Sequence, residues 1–151
     1  MKTCKLLREQ VAAATGSKKA ELVLKNAQIV NVFTQSVETG DIAIEGGYIV
    51  GIGNYEGITE KDLGGAYVCP GFLDGHIHIE SSMTSPGEFE RAVVPHGTIA
   101  VITDPHEIAN VAGTAGIRYM LEATEGLDLD VYFMMPSCVP STRLDEAGAV
   151  L

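Results

Sequence analysis

The residues most able to do chemistry lie in two short segments. The first is Cys69-Pro-Gly-Phe-Leu-Asp-Gly-His-Ile-His-Ile-Glu-Ser-Ser-Met83, with His76 and His78 two positions apart at the end of an apolar run. Side chains at i and i+2 of an extended chain point to one face, so the two imidazoles can converge on one ion. Imidazole suits zinc, iron, manganese or nickel, and an ion held by few protein ligands keeps room for a reactive water. A His-x-His pair alone is weak evidence, because two polar residues on a half-buried strand look the same.

The second segment, Thr103-Asp-Pro-His-Glu-Ile-Ala-Asn110, supplies what the first lacks. Asp104, His106 and Glu107 offer oxygen and imidazole ligands, or proton donors and acceptors. The competing expectation is an ordinary helix start, with Asp104 as N-cap, Pro105 at the first helical position and Glu107 completing a capping box. One βα unit after a His-x-His pair, the functional alternative leads.

Other polar residues carry less. Glu80 either orients an imidazole or faces solvent in a turn, and Asp74, on the histidines' face, either binds or orients a ligand or, as the leading expectation, makes a structural hydrogen bond near the barrel floor. His96, ahead of Gly97, is expected to be structural. Ser137 to Thr142, including Cys138, has no Gly-x-Ser-x-Gly elbow and no nearby histidine, so it is expected to shape a pocket rather than supply a nucleophile.

The elements that must position these residues follow from hydrophobic rhythm. Lys5 to Ala14 is helical, with Leu6, Leu7 and Val11 on one side, and Thr15-Gly16-Ser17 ends it. Runs at Glu21–Leu24, Ala27–Phe33, Asp41–Glu45 and Tyr48–Ile52 predict strands, and Gly46-Gly47 predicts a hairpin turn. Residues 20 to about 67 therefore predict a small antiparallel β unit. After Pro70 the pattern alternates: a strand from Gly71 to His78, a helix opened near Ser85-Pro86, a strand Thr98–Thr103, a helix from about Ala112 to Thr124, and a strand Leu129–Met135. Alternating strands and helices mean parallel βα units. Polar residues placed just after each strand match a (β/α)₈ barrel, where chemistry sits in the βα loops. The expectation is an α/β fold: residues 1–67 forming a helix plus a sandwich-type β unit, and 68–151 forming three of eight βα units. This would be an incomplete barrel with unpaired strand edges, the N-terminal piece of a larger enzyme.

Composition bounds the alternatives. The chain has 151 residues, 46% of them apolar and 20% charged, as expected of a folded protein. A net charge of −10 speaks against nucleic acid or an anionic membrane as partner. No apolar run reaches the roughly 20 residues that span a bilayer, and the N-terminus lacks a secretory h-region. Three widely spaced cysteines argue against a disulfide framework and fit a cytoplasmic location.

Three longer phrases carry a family resemblance. A β unit leading into Pro-Gly-Phe-Leu-Asp-Gly-His-Ile-His is similar to the amidohydrolase superfamily of metal-dependent hydrolases. Gly75-His-Ile-His-Ile-Glu-Ser-Ser-Met83, Asp104-Pro-His-Glu-Ile-Ala-Asn-Val111 and Tyr132-Phe-Met-Met-Pro-Ser-Cys-Val-Pro-Ser141 resemble its adenine deaminase branch. The resemblance implies hydrolysis of adenine to hypoxanthine and ammonia, in purine salvage or adenine catabolism, by hydroxide attack at C6. It implies a divalent, binuclear metal centre with Mn²⁺ or Fe²⁺ favoured and Zn²⁺ an alternative, and a homo-oligomeric complete protein. Carried onto this sequence, His76 and His78 are expected to bind metal, Glu107 and His106 to transfer protons, and Asp104 and Ser81 to contact the base. Further ligands would lie beyond Leu151. The alternatives are an amidohydrolase acting on a cyclic amide or another amino-heterocycle, and a catalytically silent truncated product.

Overall fold

A computed structural model describes residues 3–136 and 139, and the chain divides into two compact units, Met1–Pro70 and Gly71–Leu151. Ser137, Cys138 and residues 140–142, singled out above, lie outside the described residues.

In the first unit, α1 (Cys4–Ala14) opens on Thr3, whose side-chain oxygen accepts the Leu6 N–H. The face it buries is not the one the leucines predict. Gln10 and Ala13 are buried, while Leu7 and Val11 are more than half exposed. Gln10 is drawn inward because its side-chain amide donates to the Glu45 carbonyl at 3.2 Å.

Five strands follow: β1 (Ala20–Asn31), β2 (Ser36–Glu45), β3 (Tyr48–Gly53), β4 (Gly57–Asp62) and β5 (Tyr67–Val68). The sheet is mixed rather than antiparallel. β1 pairs antiparallel with β2, and β2 with β3, but β4 and β5 run parallel to β1, along its first and second halves. The two short strands predicted between residues 21 and 33 are one long strand interrupted by a bulge between Leu24 and Ala27, where Asn26 takes φ 57°. The Gly46-Gly47 hairpin is present, both glycines at positive φ as a type I′ turn requires.

Asp41 pins the bulge. Its carboxylate accepts from the Asn26 N–H at 3.1 Å and from the Lys25 ammonium, which also donates to the Tyr55 carbonyl at 3.0 Å. The Lys25 hydrogen bond, helped by the Asn26 N–H, holds the Asp41 carboxyl below its ordinary range against the opposing effect of burial. The same bond raises Lys25. Ala27, Ile29 and Ile42 form one small core beside this network, and Ala13, Ala20, Val23 and Ala43 form another under the helix.

The second unit is a three-stranded parallel sheet, ordered β6 (Phe72–Ile77), β7 (Thr98–Thr103), β8 (Asp130–Phe133). Helix α2 (Pro86–Val93) follows β6, with Ser85 as N-cap and Pro86 in its first turn, and α3 (His106–Ala123) follows β7. This is the βα alternation the sequence predicts. Ile79, Phe89, Val101, Met120 and Leu129 form the core, so the turn after β6, both helices and the sheet share one apolar cluster. Burying an aliphatic side chain of this size contributes about 1.5–3 kcal/mol.

Helix α3 differs from its prediction at both ends of its first half. It starts at His106, not near Ala112, and it breaks at Gly113, whose φ 60° and ψ −145° are outside helical space. Such backbone is essentially restricted to glycine. Its N-cap position is Pro105, with no side-chain cap bond, so the capping box of Asp104 and Glu107, the competing alternative, is absent. The Asp104 carboxylate is turned instead toward His106.

Among the described residues no helix is long and apolar enough to cross a membrane.

Candidate active site

His76 and His78 leave β6 through an irregular stretch. Between Asp74 and Ile77 the strand advances three residues while β7 advances two, from Val101 to Thr103. A bulge of this kind at a strand end re-aims side chains. Asp74 stabilises it by accepting the His76 N–H at 3.0 Å, the structural bond expected of it. The result is convergence: the Nε2 atoms of His76 and His78 lie 3.2 Å apart.

Asp104 then organises two imidazoles with two different oxygens. Its backbone carbonyl lies 2.9 Å from His78 Nδ1, and its Oδ2 lies 3.0 Å from His106 Nδ1. A carbonyl oxygen can only accept, so His78 Nδ1 is the donor of that bond, and in the neutral imidazole Nε2 is the nitrogen that keeps a lone pair. The rings of His76 and His106 each meet His78 edge-on, with centroids 4.9 and 4.6 Å away. Asp104 itself is placed by pairing, since its N–H donates to the Ile77 carbonyl across the two strand ends at 2.9 Å.

Glu107 completes the cluster, its Oε2 accepting from Ser81 Oγ at 2.6 Å. Ser81 is thereby engaged with a carboxylate. Among the described residues Glu80 orients no imidazole, and it is not simply a solvent-facing turn residue. Its Oε1 accepts the Ile108 N–H at 3.1 Å, and its Oε2 is buried with no hydrogen-bond partner among the described residues. The sequence signal for that role is faint: a carboxylate two residues after a ligand pair is as common in exposed turns.

The donor atoms fit a divalent cation. His76, His78 and Asp104 bring ligand atoms within 4.8 Å of one another, as do His78, His106 and Glu107. Two nitrogens each about 2.0–2.1 Å from a tetrahedral ion stand about 3.3 Å apart, close to the spacing of the paired Nε2 atoms. Asp104 Oδ1 is buried with no hydrogen-bond partner among the described residues, as is the neighbouring Thr103 Oγ1. Orphaned buried oxygens beside converging imidazole nitrogens are what a cation would satisfy. The structure thus brings together all six residues singled out from the sequence, His76, His78, Ser81, Asp104, His106 and Glu107. His96 stands apart in the 3₁₀ turn Val94–His96, ahead of Gly97 at φ 96°.

Comparison with known proteins adds identity to this geometry. The chain is 61% identical over 147 residues to adenine deaminase 2 of Carboxydothermus hydrogenoformans, covering 97% of this chain and 26% of that protein. It is 57% identical over 145 residues to the adenine deaminase of Geobacillus kaustophilus, covering 96% of this chain and 25% of that one. The chain therefore spans about a quarter of the length of these relatives. A solved N-acyl-D-glutamate deacylase from Bordetella bronchiseptica, complexed with zinc and a phosphonate inhibitor, overlays 57% of this chain and 19% of its own at a TM-score of 0.48 and 21% identity. The amidohydrolase family model matches residues 67–150, which hold every residue of the histidine and carboxylate cluster; the chain belongs to the amidohydrolase family.

Proposed function

We propose that the protein carrying this chain is an adenine deaminase, converting adenine and water to hypoxanthine and ammonia. The observation that carries the proposal is the convergence of His76, His78, His106, Asp104 and Glu107 at adjoining strand ends, in a chain 52–61% identical to several adenine deaminases. On this reading β6, β7 and β8 open a (β/α)₈ barrel, and the cluster sits in its first two βα loops.

A bound divalent cation would lower the pKa of water and so supply hydroxide near neutral pH. The chain's own residues do the rest. His76 and His78, whose Nε2 atoms converge, would hold the cation, with the Asp104 carbonyl orienting the His78 ring. Glu107 lies within ligand reach of His78 and His106. There its carboxylate can take a proton from water as the C6–O bond forms and return it to the amino group, so that the C6–N bond then breaks and ammonia leaves. His106, oriented by Asp104 Oδ2, is the second proton carrier. Ser81 acts on the base through Glu107, whose carboxylate it holds, and Asp104 Oδ1 is left for substrate or cation.

The candidate donors fall in two groups that share His78, one with His76 and Asp104 and one with His106 and Glu107. This supports a binuclear centre, with Mn²⁺ or Fe²⁺ preferred and Zn²⁺ the alternative. A cytoplasmic homo-oligomer serving purine salvage completes the proposal. Its test is a substrate screen of the full natural reading frame loaded with Mn²⁺. Ammonia and hypoxanthine from adenine support it. Turnover confined to cyclic amides or other amino-heterocycles moves the chain to another branch of the family.

A further inference from the structure

Helix α3 carries His106 and Glu107 in its first turn, yet its own N-cap position provides no side-chain acceptor. The first N–H groups of a helix need acceptors from elsewhere. Here the acceptor comes from the preceding βα segment. Glu80 reaches across 28 residues of sequence to accept the Ile108 N–H at 3.1 Å, and the adjacent Ser81 holds Glu107 at 2.6 Å. Two consecutive residues of one turn thus grip two consecutive residues of the other.

The gripping turn is itself tied down by burial and internal hydrogen bonds. It is the 3₁₀ turn Ile79–Ser82, entered directly from His78, and Ile79 is wholly buried in the core. Ser82 Oγ donates to the Ile79 carbonyl at 2.6 Å, and Met83, at φ 59°, closes the turn with its N–H on the Glu80 carbonyl. A carboxylate at a helix N-terminus also suits the helix dipole. Among the described residues no salt bridge engages Glu80, and its second oxygen is buried without a partner. Burial of that kind is costly for a residue with no task.

We infer that Glu80 is a positioning residue: by capping α3 at Ile108 it sets the distance of His106 and Glu107 from the His76–His78 pair. The inference rests on the metal-site reading above and adds a residue that touches neither cation nor substrate. It is the hydrogen-bond acceptor that matters, so Glu80→Gln keeps the function and Glu80→Ala loses it.

The experiment uses the full natural reading frame as wild type, Glu80→Gln and Glu80→Ala, with two readouts. Amide hydrogen exchange across residues 106–110 of the metal-free proteins reports the cap, and Mn²⁺ titration reports the site. Glu80→Ala is expected to lose protection in that turn and to bind Mn²⁺ about 10- to 100-fold more weakly, the range for residues that orient ligands. Glu80→Gln is expected to stay close to wild type in both. Wild-type exchange and affinity in Glu80→Ala would overturn the inference. So would a Glu80→Gln protein as impaired as the alanine variant, which would make the carboxylate charge a direct participant. If Glu80→Ala does not fold, Glu80→Leu, which removes the acceptor but fills its space, is read in its place by the same two criteria. A wild-type protein that takes up no Mn²⁺ overturns the metal-site reading, and exchange still decides the cap.

Discussion

His78 Nδ1–H donates to the backbone carbonyl of Asp104, 2.9 Å away, so this metal-ligand candidate is oriented by the main chain of the second βα loop. No side-chain substitution at Asp104 removes that bond. What Asp104 contributes through its side chain, the 3.0 Å contact to His106 and the orphaned Oδ1, is therefore separable from it.

Asp104→Asn keeps the shape and the carbonyl while removing the charge. It is expected to weaken Mn²⁺ binding by about 10- to 100-fold with little change in the metal-free Tm. A titration followed by elemental analysis checks this, and an unchanged affinity would confine Asp104 to its backbone role.

Metal binding stabilises the folded state only. At a free Mn²⁺ concentration of about 100 times Kd the gain is about 2.7 kcal/mol. Differential scanning calorimetry with and without chelator should show a raised Tm in the wild type and no rise in His76→Asn. A Tm indifferent to Mn²⁺ in the wild type would count against a preformed site.

The Asp41–Lys25 pair predicts a pH dependence of stability. Asp41 is held below its ordinary range, first by the Lys25 hydrogen bond. Its contribution is therefore complete above the unfolded value of about 3.9 and fades as pH falls through the lower folded value. Lys25 is raised by the same bond, so its contribution is complete below about 10.4 and fades only as pH climbs through the higher folded value. Asp41→Asn should cost about 1–3 kcal/mol at pH 7, with the variant and wild-type Tm curves converging toward pH 2. Parallel curves across that range would refute the assignment.

Gly113→Ala places a Cβ on backbone at φ 60° and ψ −145°, at a cost of about 1–3 kcal/mol. The substitution raises helix propensity, so simple propensity predicts stabilisation instead. Thermal unfolding gives the sign directly, and a higher Tm would mean α3 is not broken there.

The site was legible in the sequence because its parts are local. His76 and His78 are two residues apart, Asp104 to Glu107 are contiguous, and strand rhythm puts both segments at adjoining strand ends. The departures are non-local. β4 reads Gly-Ile-Thr-Glu-Lys-Asp, with no apolar run to announce it, and its place comes from parallel pairing with β1 across more than thirty residues. Leu7 and Val11 suggest a buried helix face, yet the tie from Gln10 to Glu45 turns the helix otherwise. A capping box at Asp104 and Glu107 is sound local chemistry, overridden because Glu80 supplies the acceptor from another loop.

The measurement that tests the central claim most directly is ammonia release from adenine by the Mn²⁺-loaded full reading frame, with bound metal counted in the same samples, in wild type and His78→Asn. Deamination in the wild type, with both metal and activity lost in His78→Asn, is the predicted result. Full metal content and undiminished deamination in His78→Asn would contradict the account, because the imidazole presented by the Asp104 carbonyl would then hold nothing.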